Sequence, residues 1–294
     1  MTATTPEGSA GERDITRLTP YELVFTTADF ESRVFPSIRA EADEYGAESL
    51  DLGRFAFLTT VSDAVRDLTS DEPPPEALEQ YRALLFHAYH FWLNGRRLFV
   101  LDRALARFLV ESSPSLEDWT FSAPLPAGYA QLPANLFWSS ISSDTPPEPV
   151  DGFFFTISTG ADPLGARSRI LQLLLVLGIR RERSGFSVIR LETLLDPLVS
   201  PAERETPRER EGGPFSSVLP GGDLAGLYSI LTTDEGIEIA QRTLWYIDRF
   251  PEGTVEVAAP EPSDEPKEPP ATKLAHARLR LAATDATSDA DDDG

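Results

Sequence analysis

The sequence predicts an α+β fold: an N-terminal helical bundle of about four helices, followed by a mainly antiparallel four- to five-stranded sheet with a packed C-terminal helix. Three observations predict it. Apolar residues recur at helical spacing from Leu23 to about residue 111. Strand-like segments separated by turn-rich breaks follow between residues 128 and 193. A strongly amphipathic segment over 233–250 then closes the pattern.

The chain begins with a polar segment that precedes the first helix. Residues 1–18 are small and polar and predict a disordered N-terminal tail. Thr19 and Pro20 predict a helix start, because threonine caps an N-terminus and proline fits the first helical turn. Pro36 is expected to kink or split this helix, because proline lacks the amide hydrogen and clashes with the preceding turn.

Three further helices complete the helical region, which is predicted to span 19–113. They cover about 52–68, 76–93 and 97–111, each with a stripe of apolar residues at helical spacing. The pair Asn94-Gly95 separates the last two, as expected of a left-handed helix end.

One face of the helix over 52–68 is acidic. Asp63, Asp67 and Asp71 fall at intervals of four residues, so they line one side of a helix. Three like charges in a row are typical of a solvated face, and they also attract a cation or a basic partner.

The sheet region is predicted over 114–250, as one compact unit with the helices. Its strands are expected in four segments rich in aromatic, β-branched or aliphatic residues: 135–142, 152–159, 168–179 and 185–193. The third segment is apolar on both faces, which indicates a central strand covered on both sides. Arg190 and Glu192 share one face of the fourth segment, which places it nearer an edge.

Residues 251–294 predict a disordered acidic tail, because they are rich in proline and acidic residues. A basic island over 273–283 interrupts this tail with Lys273, Arg278 and Arg280. The island has the pattern of a short helix or of a strand. Three roles stay open: docking on a partner, folding back onto the protein's own acidic surface, or none.

The charge of the chain limits its partners. The formal net charge is −22. Such a field repels nucleic-acid phosphates and anionic membrane surfaces and attracts basic proteins. We therefore expect another protein as partner, with a basic one as the best match, and neither nucleic acid nor membrane. A cytoplasmic location is predicted, because the N-terminus lacks a secretory signal and no apolar run reaches about 20 residues.

Signatures of catalysis are missing from the sequence. Cysteine is absent, which excludes disulfides and thiol nucleophiles. His87 and His90 lie three residues apart, but no third histidine is expected in the folded part to complete a metal site. Neither a nucleophile elbow nor a phosphate-binding loop occurs. The sequence therefore predicts no catalytic residue, no metal and no cofactor, and it favours a non-enzyme.

The favoured function is non-catalytic protein binding through an acidic surface, as in an inhibitor, an immunity-type protein, an adaptor or a regulator. One alternative is a small-molecule-binding or enzymatic domain, with Gln172, Arg190 and His87 meeting in a pocket between sheet and helices. Another is a structural subunit of a larger assembly, with exposed aromatic residues around Trp119, Phe137 and Trp138. The residues expected to take part in interactions are Asp63, Asp67, Asp71, Trp119, Trp138, Lys273, Arg278 and Arg280.

Overall fold

The computed structural model shows an α+β fold. It describes residues 17–26, 29–45, 50–69, 74–111, 125–140, 146–161, 167–179, 186–195, 229–230, 233–257 and 274–281. The helices within these ranges are α1 (Pro20–Val24), α2 (Phe35–Glu44), α3 (Leu52–Ala56), α4 (Thr59–Leu68), α5 (Pro75–Leu93), α6 (Arg103–Glu111) and α7 (Thr233–Arg249). The strands are β1 (Leu98–Leu101), β2 (Ala127–Gln131), β3 (Phe137–Ser139), β4 (Glu148–Ala161), β5 (Arg167–Leu177), β6 (Ser187–Leu194), β7 (Ser229–Ile230), β8 (Thr254–Val257) and β9 (His276–Leu279).

The sheet is mixed and larger than the predicted four or five antiparallel strands. Seven strands lie in the order β6-β5-β4-β2-β1-β9-β8, and β3 pairs both with the start of β4 and with β7. The predicted antiparallel run β4-β5-β6 is present. β1 runs parallel to both of its neighbours, β2 and β9. The prediction fell short because strands from distant parts of the chain extend the sheet.

The predicted helix over 97–111 is wrong in its first third. Residues Leu98–Leu101 form β1, and α6 begins only at Arg103. All four β1 residues are buried, because the strand lies inside the sheet with both faces covered. Periodicity does not distinguish a short buried strand from a buried helical turn. Asp102 then caps α6 by accepting a hydrogen bond of 2.7 Å from the Leu105 amide.

The N-terminal helices start and break where their sequence changes. Thr19 and Glu22 form a capping box, in which the Glu22 carboxylate accepts from the Thr19 amide at 2.9 Å and the Thr19 hydroxyl accepts from the Glu22 amide at 3.2 Å. The segment around Pro36 is irregular, since a π-helical turn at Phe30–Val34 precedes α2. The predicted continuous helix over 52–68 is divided into α3 and α4.

Helices cover both faces of the sheet. Helices α1 to α5 pack on the face that carries Tyr129 and Phe154, and we call it the α1–α5 face. Helices α6 and α7 pack on the opposite face, which carries Phe153 and Phe155. Alternate side chains of β4 thus lie in two separate hydrophobic cores, one on each face of the sheet. Within the described ranges, no helix has the length and apolar character needed to cross a membrane.

The C-terminal region corrects the expectation of a disordered acidic tail over 251–294. Residues 254–257 form the edge strand β8, and residues 276–279 form β9 between β8 and β1. Part of the basic island therefore folds back onto the protein as a strand inside the sheet. Residues 258–273 and 282–294 lie outside the described residues, as do residues 1–16 of the predicted N-terminal tail.

Candidate functional site

The predicted interaction residues lie on separate elements of the fold. Asp63 and Asp67 are exposed on α4, where Asp63 forms an ion pair with Arg66 that offsets part of the local charge. On β9, Arg278 is half-buried, and Arg280 is exposed just after the strand. The structure does not gather the acidic and basic positions on one element.

The other predicted positions give little support to an assembly role. Trp138 is half-buried in β3, opposite Pro149 of β4, and the neighbouring Phe137 is 2 % exposed. These rings are therefore not the exposed aromatic surface that a structural subunit was expected to show. The predicted residues Asp71, Trp119 and Lys273 lie outside the described residues.

Two aromatic side chains that the sequence analysis missed stand out on the helical surface. Phe57 is 89 % exposed and Tyr45 is 73 % exposed. They are the most exposed large hydrophobic side chains in the part of the chain that the structure describes. Burial of such a ring in an interface is favourable, because it removes apolar surface from water.

Glu41 places the two aromatic residues at one junction. Its carboxylate accepts hydrogen bonds from the amides of Thr59 at 2.6 Å and Thr60 at 2.9 Å, at the start of α4. Tyr45 follows Glu41 by one helical turn and ends α2. Phe57 lies two residues before Thr59. Tyr45 and Phe57 therefore flank the contact between α2 and α4.

The Glu41 contact is that of an ionised carboxylate at a helix N-terminus. Leu58, at the N-cap position of α4, offers no side-chain hydrogen bond, so Glu41 supplies the cap from another helix. Burial alone raises the pKa of Glu41, but the hydrogen bonds from Thr60 and Thr59 outweigh it and lower the pKa below its usual range. The junction is held by a charge-assisted contact.

Exposed carboxylates lie on both helices of this junction. Asp43 and Glu44 are exposed on the last turn of α2, and Asp63 and Asp67 are exposed along α4. We call the set comprising Tyr45, Phe57 and these four carboxylates the α2–α4 surface. It joins apolar rings, which bind by desolvation, to negative charges, which attract cations from a distance.

A second group of polar side chains lies between α5 and the sheet. His87 is 1 % exposed, and its Nδ1 atom lies 3.0 Å from the Thr156 hydroxyl oxygen on β4. Burial first, and then the charges of His90 and Arg190, lower the pKa of His87 to about 3. Burial likewise lowers the pKa of His90 to about 4. Both imidazoles are therefore neutral near pH 7.

Strand register extends this group across the sheet. Thr156 pairs with Gln172 of β5, and Gln172 pairs with Glu192 of β6. The Gln172 amide nitrogen donates to a Glu192 carboxylate oxygen at 3.4 Å. Arg190 lies two residues before Glu192 and so shares its face. His87, Gln172 and Arg190 thus lie on one face of the sheet, with His87 and Gln172 buried and Arg190 exposed.

Two buried polar atoms in this region have no hydrogen-bond partner among the described residues. They are the Ser158 hydroxyl oxygen and the Gln172 side-chain oxygen, on residues that are 4 % and 6 % exposed. We call the six residues His87, Thr156, Ser158, Gln172, Arg190 and Glu192 the polar strip.

A third polar group surrounds Asp151, which is 6 % exposed. A β-bulge between Val150 and Gly152 interrupts the register at Asp151. Its carboxylate accepts from the Tyr129 hydroxyl at 2.6 Å and from the Gln131 amide at 3.4 Å, and it forms an ion pair with Arg17 at 3.4 Å. Burial, and then the charge of Asp151, raise the pKa of Tyr129. These contacts anchor the N-terminal segment on the sheet.

Metal binding and similarity to known proteins give no further guide to function. Among the residues with described structure, no three His, Cys, Asp or Glu side chains are grouped so that they could hold a metal ion. The chain matches no protein-family model, no curated protein and no solved structure.

Proposed function

We propose that the protein is a non-catalytic binding protein that uses the α2–α4 surface to hold a basic protein partner, as an inhibitor, an immunity-type protein, an adaptor or a regulator does. The observation that carries this proposal is the 89 % exposure of Phe57 beside a carboxylate-rich helix junction. Aromatic residues dominate the binding energy of many protein interfaces, and surrounding polar residues exclude water from them.

The charge of the protein supports a basic partner. The net charge of −22 speeds the approach of a positive surface and slows the approach of nucleic acid. Asp43, Glu44, Asp63 and Asp67 would pair with lysine or arginine residues at the rim. Because these carboxylates are exposed, each pair contributes only about 0–1 kcal/mol, and the rings supply most of the affinity.

The first experiment identifies a partner and then measures its affinity. Proteins retained from a lysate of the source organism at low salt are purified, and their affinity is measured by calorimetry against the wild type, Phe57→Ala and Tyr45→Ala. We expect each substitution to weaken binding at least about tenfold, since each removes a ring that is buried only in the complex. The fold should not change, because both side chains are exposed in the free protein.

A matched control and a salt series make the result specific. Val255→Ala removes another exposed apolar side chain, 42 % exposed on β8, and should leave the affinity unchanged. The double variant Asp63→Asn/Asp67→Asn should bind more weakly at low salt and converge with the wild type at high salt. A purified partner that binds Phe57→Ala and Tyr45→Ala as tightly as the wild type would refute the α2–α4 surface as the binding site.

A further inference from the structure

The polar strip interrupts an apolar stretch of the α1–α5 face. One row of the sheet along the α1–α5 face pairs Phe154 with Leu174, and both side chains are fully buried. The next row pairs Thr156 with Gln172, also buried. A face that only had to hold α5 would gain more from apolar residues here, because buried polar groups need partners.

Gln172 lies at the centre of the strip. Thr156 and Glu192 are its direct neighbours on the two adjoining strands. Ser158 and Arg190 lie on the two diagonals, because Ser158 pairs with Ile170 and Arg190 with Leu174. The unpartnered oxygens of Ser158 and Gln172 are therefore neighbours, within reach of one small molecule.

The side chains of the polar strip are buried at one end and exposed to solvent at the other. His87 and Thr156 are each 1 % exposed beneath α5, whereas Arg190 and Glu192 are exposed on the edge strand β6. The strip thus runs from solvent at β6 to the buried side chains under α5. A ligand from solvent would therefore first meet Arg190 and Glu192.

The functional groups of the strip suit a ligand that carries one positive and one negative group. Glu192 and the Gln172 side-chain oxygen accept hydrogen bonds, which suits the three donors of an ammonium group. The Arg190 guanidinium makes no ion pair within the described ranges, and its planar donors suit a carboxylate. Arg190 and Glu192 are separated by about 7 Å along β6. A ligand with both charges a few bonds apart fits between them.

We propose that the polar strip binds a small zwitterion of the amino-acid class, with its ammonium group on Glu192 and Gln172 and its carboxylate on Arg190. Ser158 and Thr156 meet the inner part of the ligand. This site is separate from the α2–α4 surface, so the proposal does not rest on the proposed function.

The test measures the thermal unfolding midpoint of the full chain with each common L-amino acid at up to about 10 mM, followed by calorimetry for those that raise it. Methylamine and acetate, which each carry one of the two charges, serve as ligand controls. We expect at least one amino acid to stabilise the protein in a concentration-dependent way, and neither control to do so. If no amino acid raises the midpoint or binds by calorimetry, the proposal is wrong.

Variants locate the site. Arg190→Gln and Glu192→Gln change exposed side chains, so both should fold, and each should weaken amino-acid binding at least about tenfold. Ser158→Ala removes a buried hydroxyl that has no partner among the described residues, so it should weaken binding without lowering the unliganded midpoint. Arg82→Gln and Glu79→Gln alter the ion pair on α5 and should bind like the wild type. Binding that is unchanged in Arg190→Gln and Glu192→Gln would overturn the assignment, as would a crystal structure at saturating amino acid with only water between Ser158 and Gln172.

Discussion

Tyr129 donates a hydrogen bond of 2.6 Å to Asp151, and this buried contact joins β2 to β4 beside the bulge of β4. Asp151 is 6 % exposed, so hydrogen-bond donors take the place of water around its carboxylate. Arg17 contributes an ion pair from the start of the described chain. The stability of the sheet at this point therefore depends on a hydroxyl and a guanidinium.

Tyr129→Phe should lower the free energy of unfolding by roughly 1–3 kcal/mol, because it removes one donor and leaves a buried charge less compensated. Urea denaturation at pH 7 measures the change. Tyr45→Phe is the matched control and should change stability by less than about 0.5 kcal/mol, since Tyr45 is 73 % exposed. Equal effects of the two substitutions would show that the Tyr129 contact contributes nothing.

Gly152→Ala should be more damaging than its small size suggests. A Cβ atom at this position would collide with the Ala130 carbonyl oxygen and lie 2.8 Å from the Tyr129 hydroxyl. We expect a loss of roughly 2 kcal/mol or more in the free energy of unfolding, because backbone cannot move aside as a side chain can. Gly53→Ala, at an exposed position in α3, should change stability by no more than about 1 kcal/mol. A loss at Gly152 no larger than at Gly53 would contradict the packing.

Glu41→Gln should lower stability by about 1 kcal/mol near pH 7, as the loss of a helix cap does. Because the pKa of Glu41 is lowered, the stabilisation by Glu41 depends on pH. The charged form stabilises the fold above the ordinary pKa near 4.5, and this stability is lost as the pH falls through the lower folded-state pKa. The wild type and the variant should therefore converge in acid. The control Glu44→Gln changes an exposed carboxylate on the same turn and should have the stability of the wild type at every pH. If Glu41→Gln keeps full stability at pH 7, Glu41 does not cap α4.

His87 should make the protein less stable in mild acid. Its pKa is about 3 in the folded state against an ordinary value of 6.5, so only the unfolded chain takes up a proton between these values. The contribution of neutral His87 is complete above pH 6.5 and should fall by about 2 kcal/mol on reaching pH 5. Urea midpoints across this window measure the loss. His87→Gln should reduce the dependence but not abolish it, because the pKa of His90 is also lowered, to about 4, whereas Arg82→Gln should leave it unchanged. A slope unchanged in His87→Gln would place the titrating group elsewhere.

Much of the fold follows from local patterns, and the failures have a common cause. Thr19 with Pro20 predicts the first helix start, and the apolar residues on both faces of segment 168–179 predict a strand covered on both sides. Strand β1 was missed because it is short and its partners, β2 and β9, lie far along the chain, and β9 was expected only as one of two forms of the basic island. Leu98–Leu101 has no polar alternation, since both of its faces are buried, and only a contact with a distant segment identifies it.

The residues of the polar strip are easier to predict from the sequence than those of the α2–α4 surface. Gln172 and Arg190 are polar residues in strands otherwise rich in apolar side chains, so the sequence alone makes them visible as candidate site residues. The exposure of Phe57 cannot be predicted from the sequence. In a continuous helix Phe57 would lie four residues before Val61, on the buried stripe. The break between α3 and α4 turns Phe57 outward, and the sequence gives no clear signal for that break.

The place of β9 beside β1 sets the order in which the sheet can be completed. Leu98 cannot meet His276 until nearly all of the described chain has been synthesised. Contacts between such distant residues slow folding, because a long loop must close before they form. In the meantime the edge of β1 that later receives β9 is unpaired, and β1 is wholly apolar, which is the kind of surface that recruits other chains. The time that β9 takes to arrive therefore governs how long a newly made molecule is exposed to aggregation.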